Sequence, residues 1–224
     1  PERKYKVAIR SDALRPDIAI LDAELTLSLP PKIAAETGMD ALTHAIESYI
    51  NKNGDEITQS LTKAAILGII KWLPTSYSEG SLESRQKLHI YQCMAGMGFA
   101  NSGLGMVHGV SHAFGGIYDT AHGLSNAVIL PYAMEFNGQD MFVHDKFAEL
   151  SMALGEDVIS AVKHLSKKIG IPACFKDIGI TESEYMAERE QLVENSMGGS
   201  TKVNPIAVEK SQMYKFVDTV YYGI

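Results

Sequence analysis

The alternation of apolar and polar positions changes its period once along this chain, at Pro30-Pro31. Ahead of that point, Tyr5-Lys6-Val7-Ala8-Ile9 and Asp17-Ile18-Ala19-Ile20-Leu21 are short β-like runs separated by the turn-prone Ser11-Asp12 and Pro16, and they predict two strands. Beyond it, apolar residues recur at helical spacing, as at Ala41, Leu42, Ala45, Ile46 and Tyr49, with Pro31 suited to a first helical turn. The same spacing predicts helices over 31–51, 57–73, 82–100, 104–115, 123–136, 141–153, 156–169, 182–197 and 209–221. Breaks are expected at Asn53-Gly54, at Pro74, at the Asn101-Ser102-Gly103 turn, from Gly170 to Pro172, and at Gly198-Gly199. The chain reads as a mainly α, bundle-like helical domain over 31–224, preceded by a short β remnant over 1–30. A pair of strands is rarely stable alone, so the remnant is expected to belong to the sheet of a larger protein.

Composition narrows the classes. With 224 residues, 46% of them hydrophobic, the chain can bury a substantial core. A net charge of -7 without any Lys/Arg cluster argues against nucleic acid and against anionic membrane surfaces as partners. Cys93 and Cys174 are far apart and form no C-x-x-C pair, which leaves no disulfide framework and no cysteine zinc site, and fits a reducing, cytoplasmic setting. The apolar run from Ala64 to Ile70 is cut by Lys71, too short to span a bilayer, and Pro1-Glu2-Arg3-Lys4 opens no secretory signal. No G-x-G-x-x-G follows either strand, and no G-x-x-x-x-G-K-[ST] occurs.

The candidate chemistry lies in two stretches. Asp40 and His44 stand four apart, as do His108 and His112, with His122 shortly after. Residues at i and i+4 share a helix face, so each pair can aim two donor groups at one spot. One carboxylate with several imidazoles suits ferrous iron or zinc. Each residue also has a plainer reading. Thr37-x-x-Asp40 matches a capping box, and His44 alone on an apolar stripe reads as a hydrogen-bonded core histidine. Close helix packing accounts for Gly96, Gly98, Gly103 and Gly105, but not for three histidines set among Gly105, Gly109, Gly115, Gly116 and Gly123. His89, His144 and His164 sit among polar neighbours and read as surface residues.

Thr37-Gly38-Met39-Asp40-Ala41-Leu42-Thr43-His44-Ala45-Ile46-Glu47, with Gly103-Leu104-Gly105-Met106-Val107-His108-Gly109-x-x-His112 and Thr120-Ala121-His122-Gly123, resembles the signatures of iron-dependent alcohol dehydrogenases. The resemblance covers the latter part of a family member and implies the dehydroquinate synthase-like carboxy-terminal helical domain, with 1–30 a remnant of the NAD(P)-binding domain. It implies Asp40, His44, His108 and His122 as metal ligands, with His112 as the unliganded catalytic histidine, His112 and His122 beside the cofactor, and Phe99 lining the substrate pocket. Ala121 and Ala23 stand where the family often has another residue, and neither touches the ligands. The implied cofactors are Fe(II), with zinc as the alternative, and NAD(P) in the full-length enzyme. The implied reaction is hydride transfer between a primary alcohol or diol and its aldehyde, leaning to the lactaldehyde and propanediol branch. The expected partners are that small substrate, the nucleotide-binding half, without which the chain is expected to be inactive, and further copies in a homo-oligomer. Two other classes stand beside this one: a metallohydrolase of the HD type using His144-Asp145, and a non-catalytic helical metal-binding or oligomerisation module.

Overall fold

The computed structural model describes residues 11–14 and 16–224. Among these residues, nine α-helices occupy nearly all of the expected stretches: α1 (Pro31–Tyr49), α2 (Glu56–Ser78), α3 (Leu82–Ser102), α4 (Met106–Tyr118), α5 (His122–Asn137), α6 (Met141–Leu154), α7 (Val158–Lys168), α8 (Glu182–Ser196) and α9 (Lys210–Tyr222). Local chemistry fixes most of the starts. The side chains of Asp55, Asp140, Asp157 and Thr181 each accept a backbone N–H three residues on, and Thr181 with Glu184 closes a full capping box. Pro31 opens α1, where its missing N–H costs nothing.

Three expectations about secondary structure are corrected. α2 does not end at Pro74 but runs on to Ser78, because buried Leu73 and Ser76 keep its last turns packed and Ser78 donates back to the Pro74 carbonyl at 3.0 Å. Thr37 lies inside α1 and donates to the Ile33 carbonyl at 2.8 Å, so Asp40 is a mid-helix residue and no capping box forms there. Asp17–Leu21 forms no strand, and no strand is present among the described residues; Ile18 and Ile20 are 81% and 85% exposed, with no neighbouring strand to pair with. Tyr5 to Ile9 lies outside the described residues.

α1 is the axis of the core. It is buried almost all round, from Ala34 to Tyr49, and packs on α2, α3 and α5. α2 and α3 also pack on each other, while α4 lies between α5 and α8. Aromatic pairs lock the far side: Phe114 stacks on Phe175 with centroids 3.6 Å apart, and Tyr185 stacks on Tyr221 at 3.8 Å. α8 and α9 are joined by Asp218, which accepts from Arg189 Nε at 2.6 Å and from the Tyr185 hydroxyl at 2.5 Å.

Two glycines decide how closely elements approach. A Cβ on Gly123 would fall 2.4 Å from the Glu36 carbonyl oxygen, so the first turn of α5 can touch the α1 backbone only with glycine there. A Cβ on Gly109 would fall 1.9 Å from Thr201 Oγ1, where the 3-10 turn Gly199–Val203 crosses α4. Gly98 meets Thr62 as close packing requires, but Gly96 has nothing within 4 Å, which corrects the expectation for that residue.

Gly123→Ala should therefore cost ~1–3 kcal/mol of unfolding free energy through overpacking against backbone. Gly96→Ala should instead stabilise by roughly 0.5–1 kcal/mol through helix propensity. Denaturant midpoints of the two variants check both signs. Burial would raise the Asp218 pKa, but the hydrogen bonds from Arg189 and Tyr185 outweigh it and hold the carboxyl below its ordinary value. The bridge is thus fully present above the unfolded aspartate value near ~4 and is lost as pH falls through the lower folded value. With the two side chains 28% and 32% exposed, Asp218→Asn should cost ~1 kcal/mol at neutral pH, a gap that closes in acid. Thermal unfolding of both proteins across acid pH measures it.

Candidate metal centre

α1, α4 and α5 each send donor atoms to one place. Asp40 and His44, one turn apart on α1, face the same spot, with His44 Nε2 3.9 Å from Asp40 Oδ1. His108, in the first turn of α4, brings its Nε2 to 3.6 Å from the same oxygen. His122, the first residue of α5, brings its Nε2 to 3.5 Å. Donor atoms on Asp40, His44 and His108 all lie within 4.8 Å of one another. A tetrahedral ion with bonds of ~2.1 Å would set its ligand atoms ~3.4 Å apart, so the spacing to Asp40 Oδ1 is near what such a cation requires.

His112 lies one turn beyond His108 with ring centroids 6.0 Å apart, and stacks on His122 at 5.1 Å. It lines the edge of the cluster. Phe99, near the end of α3, stacks on His44 with centroids 4.5 Å apart and covers one face of that imidazole. Every residue singled out for the iron site in the sequence is thus gathered here. His144 and Asp145 are not: they are 70% and 74% exposed on α6, away from any buried donor cluster among the described residues. This gives the HD-type arrangement no support.

Two residues that sequence reasoning passed over complete the site. Glu47, also on α1 and only 2% exposed, accepts from His108 Nδ1 at 2.6 Å with one oxygen and from the Val107 backbone N–H at 2.7 Å with the other. One carboxylate therefore orients the His108 ring and satisfies a donor at the open start of α4. Gly105 has no side chain to cap that end; Asn204 Oδ1 serves the Met106 N–H at 3.1 Å. Asn126, one turn after His122 on α5, points its amide at the donor atoms. The signal was present in the spacing: Asp40, His44 and Glu47 fall at i, i+4 and i+7, and His122 and Asn126 at i and i+4.

The electrostatics follow from burial and pairing. For Asp40, burial alone would raise the pKa, but the hydrogen bond with His108 and the fields of His44 and His122 hold it well below the usual carboxylate range. Burial lowers His44 to about 4 despite the attraction of Asp40, so its ring is neutral near pH 7. Burial would lower His108 too, yet its hydrogen bonds to Asp40 and Glu47 raise it to about 9. An anionic carboxylate and imidazoles that share it form a donor set suited to a borderline divalent cation.

The chain is similar to known proteins over nearly its whole length. Residues 34–221 match the family model for the Fe-containing alcohol dehydrogenase family, C-terminal. The chain is 37% identical over 233 residues to the NADPH-dependent butanol dehydrogenase of Clostridium saccharobutylicum, covering 99% of this chain and 59% of that protein. It is 36% identical over 219 residues to the 1,3-propanediol dehydrogenase of Klebsiella pneumoniae, covering 91% of this chain and 56% of that protein. The iron-containing alcohol dehydrogenase from Thermococcus thioreducens superposes with a TM-score of 0.90 at 32% identity, covering 96% of this chain and 57% of that one. The chain thus spans less than three fifths of the length of these relatives. With its helical architecture and its match from residue 34 to 221, the chain belongs to the Fe-containing alcohol dehydrogenase family and corresponds to its carboxy-terminal domain.

Proposed function

We propose that this chain is the metal-binding part of an NAD(P)-dependent iron alcohol dehydrogenase that interconverts a primary alcohol or diol and its aldehyde. The observation that carries the reading is the approach of three imidazole Nε2 atoms, from His44, His108 and His122, to the single oxygen Oδ1 of Asp40 at 3.5 to 3.9 Å. Those four residues would hold the ion. Four filled ligand positions favour ferrous iron, with zinc the alternative for the same donor set. A bound divalent ion would supply Lewis acidity toward the alcohol or aldehyde oxygen, and a nicotinamide would exchange the hydride.

The remaining work falls to the chain itself. Asp40 stays anionic, and His44 stays neutral with its lone pair available. Glu47 holds the His108 Nδ1 side, which directs Nε2 toward Asp40 and fixes the ring. Phe99 shields one face of His44 from water and forms a wall of the substrate pocket. His112, at the rim beside His122, relays the proton that accompanies hydride transfer, a task suited to a residue type that titrates near neutral pH. The substrate class rests on the names of the butanol and 1,3-propanediol enzymes.

Residues 31–224 form the metal-binding unit in this reading, and 1–30 belong to the nucleotide-binding half. Two facts support the division: the relatives are longer than this chain by two fifths or more of their length, and Ile18, Ile20 and Leu25 are more than 80% exposed. Free Cys93 and Cys174, and the lack of any described helix long and apolar enough to cross a membrane, are compatible with it.

His44→Ala or His108→Ala should abolish metal retention, whereas His112→Ala should keep the metal; elemental analysis of the purified variants decides, and full iron in the His108 variant contradicts the ligand set. In an NAD(P)-linked assay the 224-residue chain alone should show no alcohol turnover. Robust turnover by the chain alone contradicts the division of labour.

A further inference from the structure

We propose that Asn126 is a positioning residue of the cation site, and that its side-chain amide gathers the donor atoms of three helices into the spacing a divalent cation needs. The proposal rests on the metal-binding reading above and extends it to a residue outside the ligand set.

Asn126 is fully buried on α5, one turn after His122. Its Nδ2 lies 2.5 Å from Asp40 Oδ1, 3.1 Å from His108 Nε2 and 3.1 Å from His122 Nε2. It is therefore in hydrogen-bonding reach of α1, α4 and α5 at once, and of three of the four atoms that would bind the ion. An asparagine amide carries two N–H donors: one serves Asp40 Oδ1, and the other faces the imidazole Nε2 atoms of His108 and His122 and can serve whichever of them is unprotonated, which ties α5 to the donor atoms of α1 and α4.

The other end of the amide argues against a merely structural role. Asn126 Oδ1 is buried and has no hydrogen-bond partner among the described residues. A core asparagine kept only for packing would be expected to satisfy both ends, since a buried acceptor without a donor is costly. Leucine, although bulkier, has the same branched outline without that cost. Here one end is oversubscribed by ligand atoms and the other is unserved, which is the pattern of a group held for what its N–H donors do at the site. Residues that orient ligands from outside the coordination sphere change metal affinity by roughly 10–100-fold when removed.

Cobalt(II), which reports coordination geometry through its visible absorption, is the probe. Purified wild-type chain, Asn126→Leu and Asn126→Ser are titrated with cobalt(II) alone, and each saturated spectrum is recorded. The proposal expects Asn126→Leu to bind roughly 10–100-fold more weakly and to show altered band positions or intensity at saturation, because its ligand atoms meet the ion in a different geometry. Asn126→Ser, which keeps one donor, should fall between the two and serves if the leucine variant does not fold. Affinity within about twofold of wild type, or weaker binding with an unchanged saturated spectrum, overturns the proposal, the second because loss of fold stability alone gives it. If wild type itself binds no cobalt, the metal-binding reading fails and this inference with it; wild-type binding with an unaffected Asn126 variant sinks the inference alone.

Discussion

Four electron-rich atoms from three helices point at one another around Asp40 Oδ1, and acceptors facing acceptors in a largely buried space repel unless positive charge or N–H groups sit among them. The rest of the molecule is arranged to hold that opposition. α1 is buried almost all round and cannot turn its Asp40 and His44 face elsewhere without unpacking from α2, α3 and α5. Gly123 lets α5 press its first turn onto the α1 backbone, which brings His122 to the cluster. Glu47 ties the start of α4 and the His108 ring to α1 with a single carboxylate. The compensation lies in the same residues: His108 raised to about 9 supplies a proton, and Asn126 supplies two N–H groups.

Burial acts in opposite directions at neighbouring imidazoles. Both His44 and His108 are pushed toward the neutral form by loss of water, but only His108 has a second carboxylate, Glu47, to reverse the effect. The difference follows from position. His44 offers its flat face to Phe99 and to the His108 ring, whereas His108 has an acceptor on its Nδ1 side as well as Asp40 on its Nε2 side. Without an ion, burial favours the neutral form at His44 while Asp40 and Glu47 favour the charged form at His108, so binding a cation through His108 Nε2 requires that proton to leave.

Much of this was legible in the sequence, because helical period and i, i+4 spacing are local. The helices among the described residues follow from apolar recurrence, with side-chain caps at several starts though not at α1, α4 or α5, and the pairs Asp40 with His44 and His108 with His112 follow from a shared helix face. What escaped depends on tertiary context. Pro74 reads as a stop, yet buried Leu73 and Ser76 carry α2 past it. Asp17–Leu21 reads as a strand, but pairing needs a neighbour, and none lies among the described residues. Thr37 with Asp40 reads as a cap only if the helix starts there, and Pro31 starts it two turns earlier. Glu47 and Asn126 stood at the right spacing, but glutamate and asparagine are common on helices, and only the fold shows which of them face inward onto a histidine.

The most direct test of the central claim is anomalous X-ray diffraction at the iron and zinc edges from crystals of the chain grown with ferrous iron. The account predicts one strong peak, at the iron edge, within ~2.0–2.2 Å of a donor atom on each of Asp40, His44, His108 and His122. A site without anomalous signal, or a peak bound elsewhere with those four side chains turned to other partners, would contradict it.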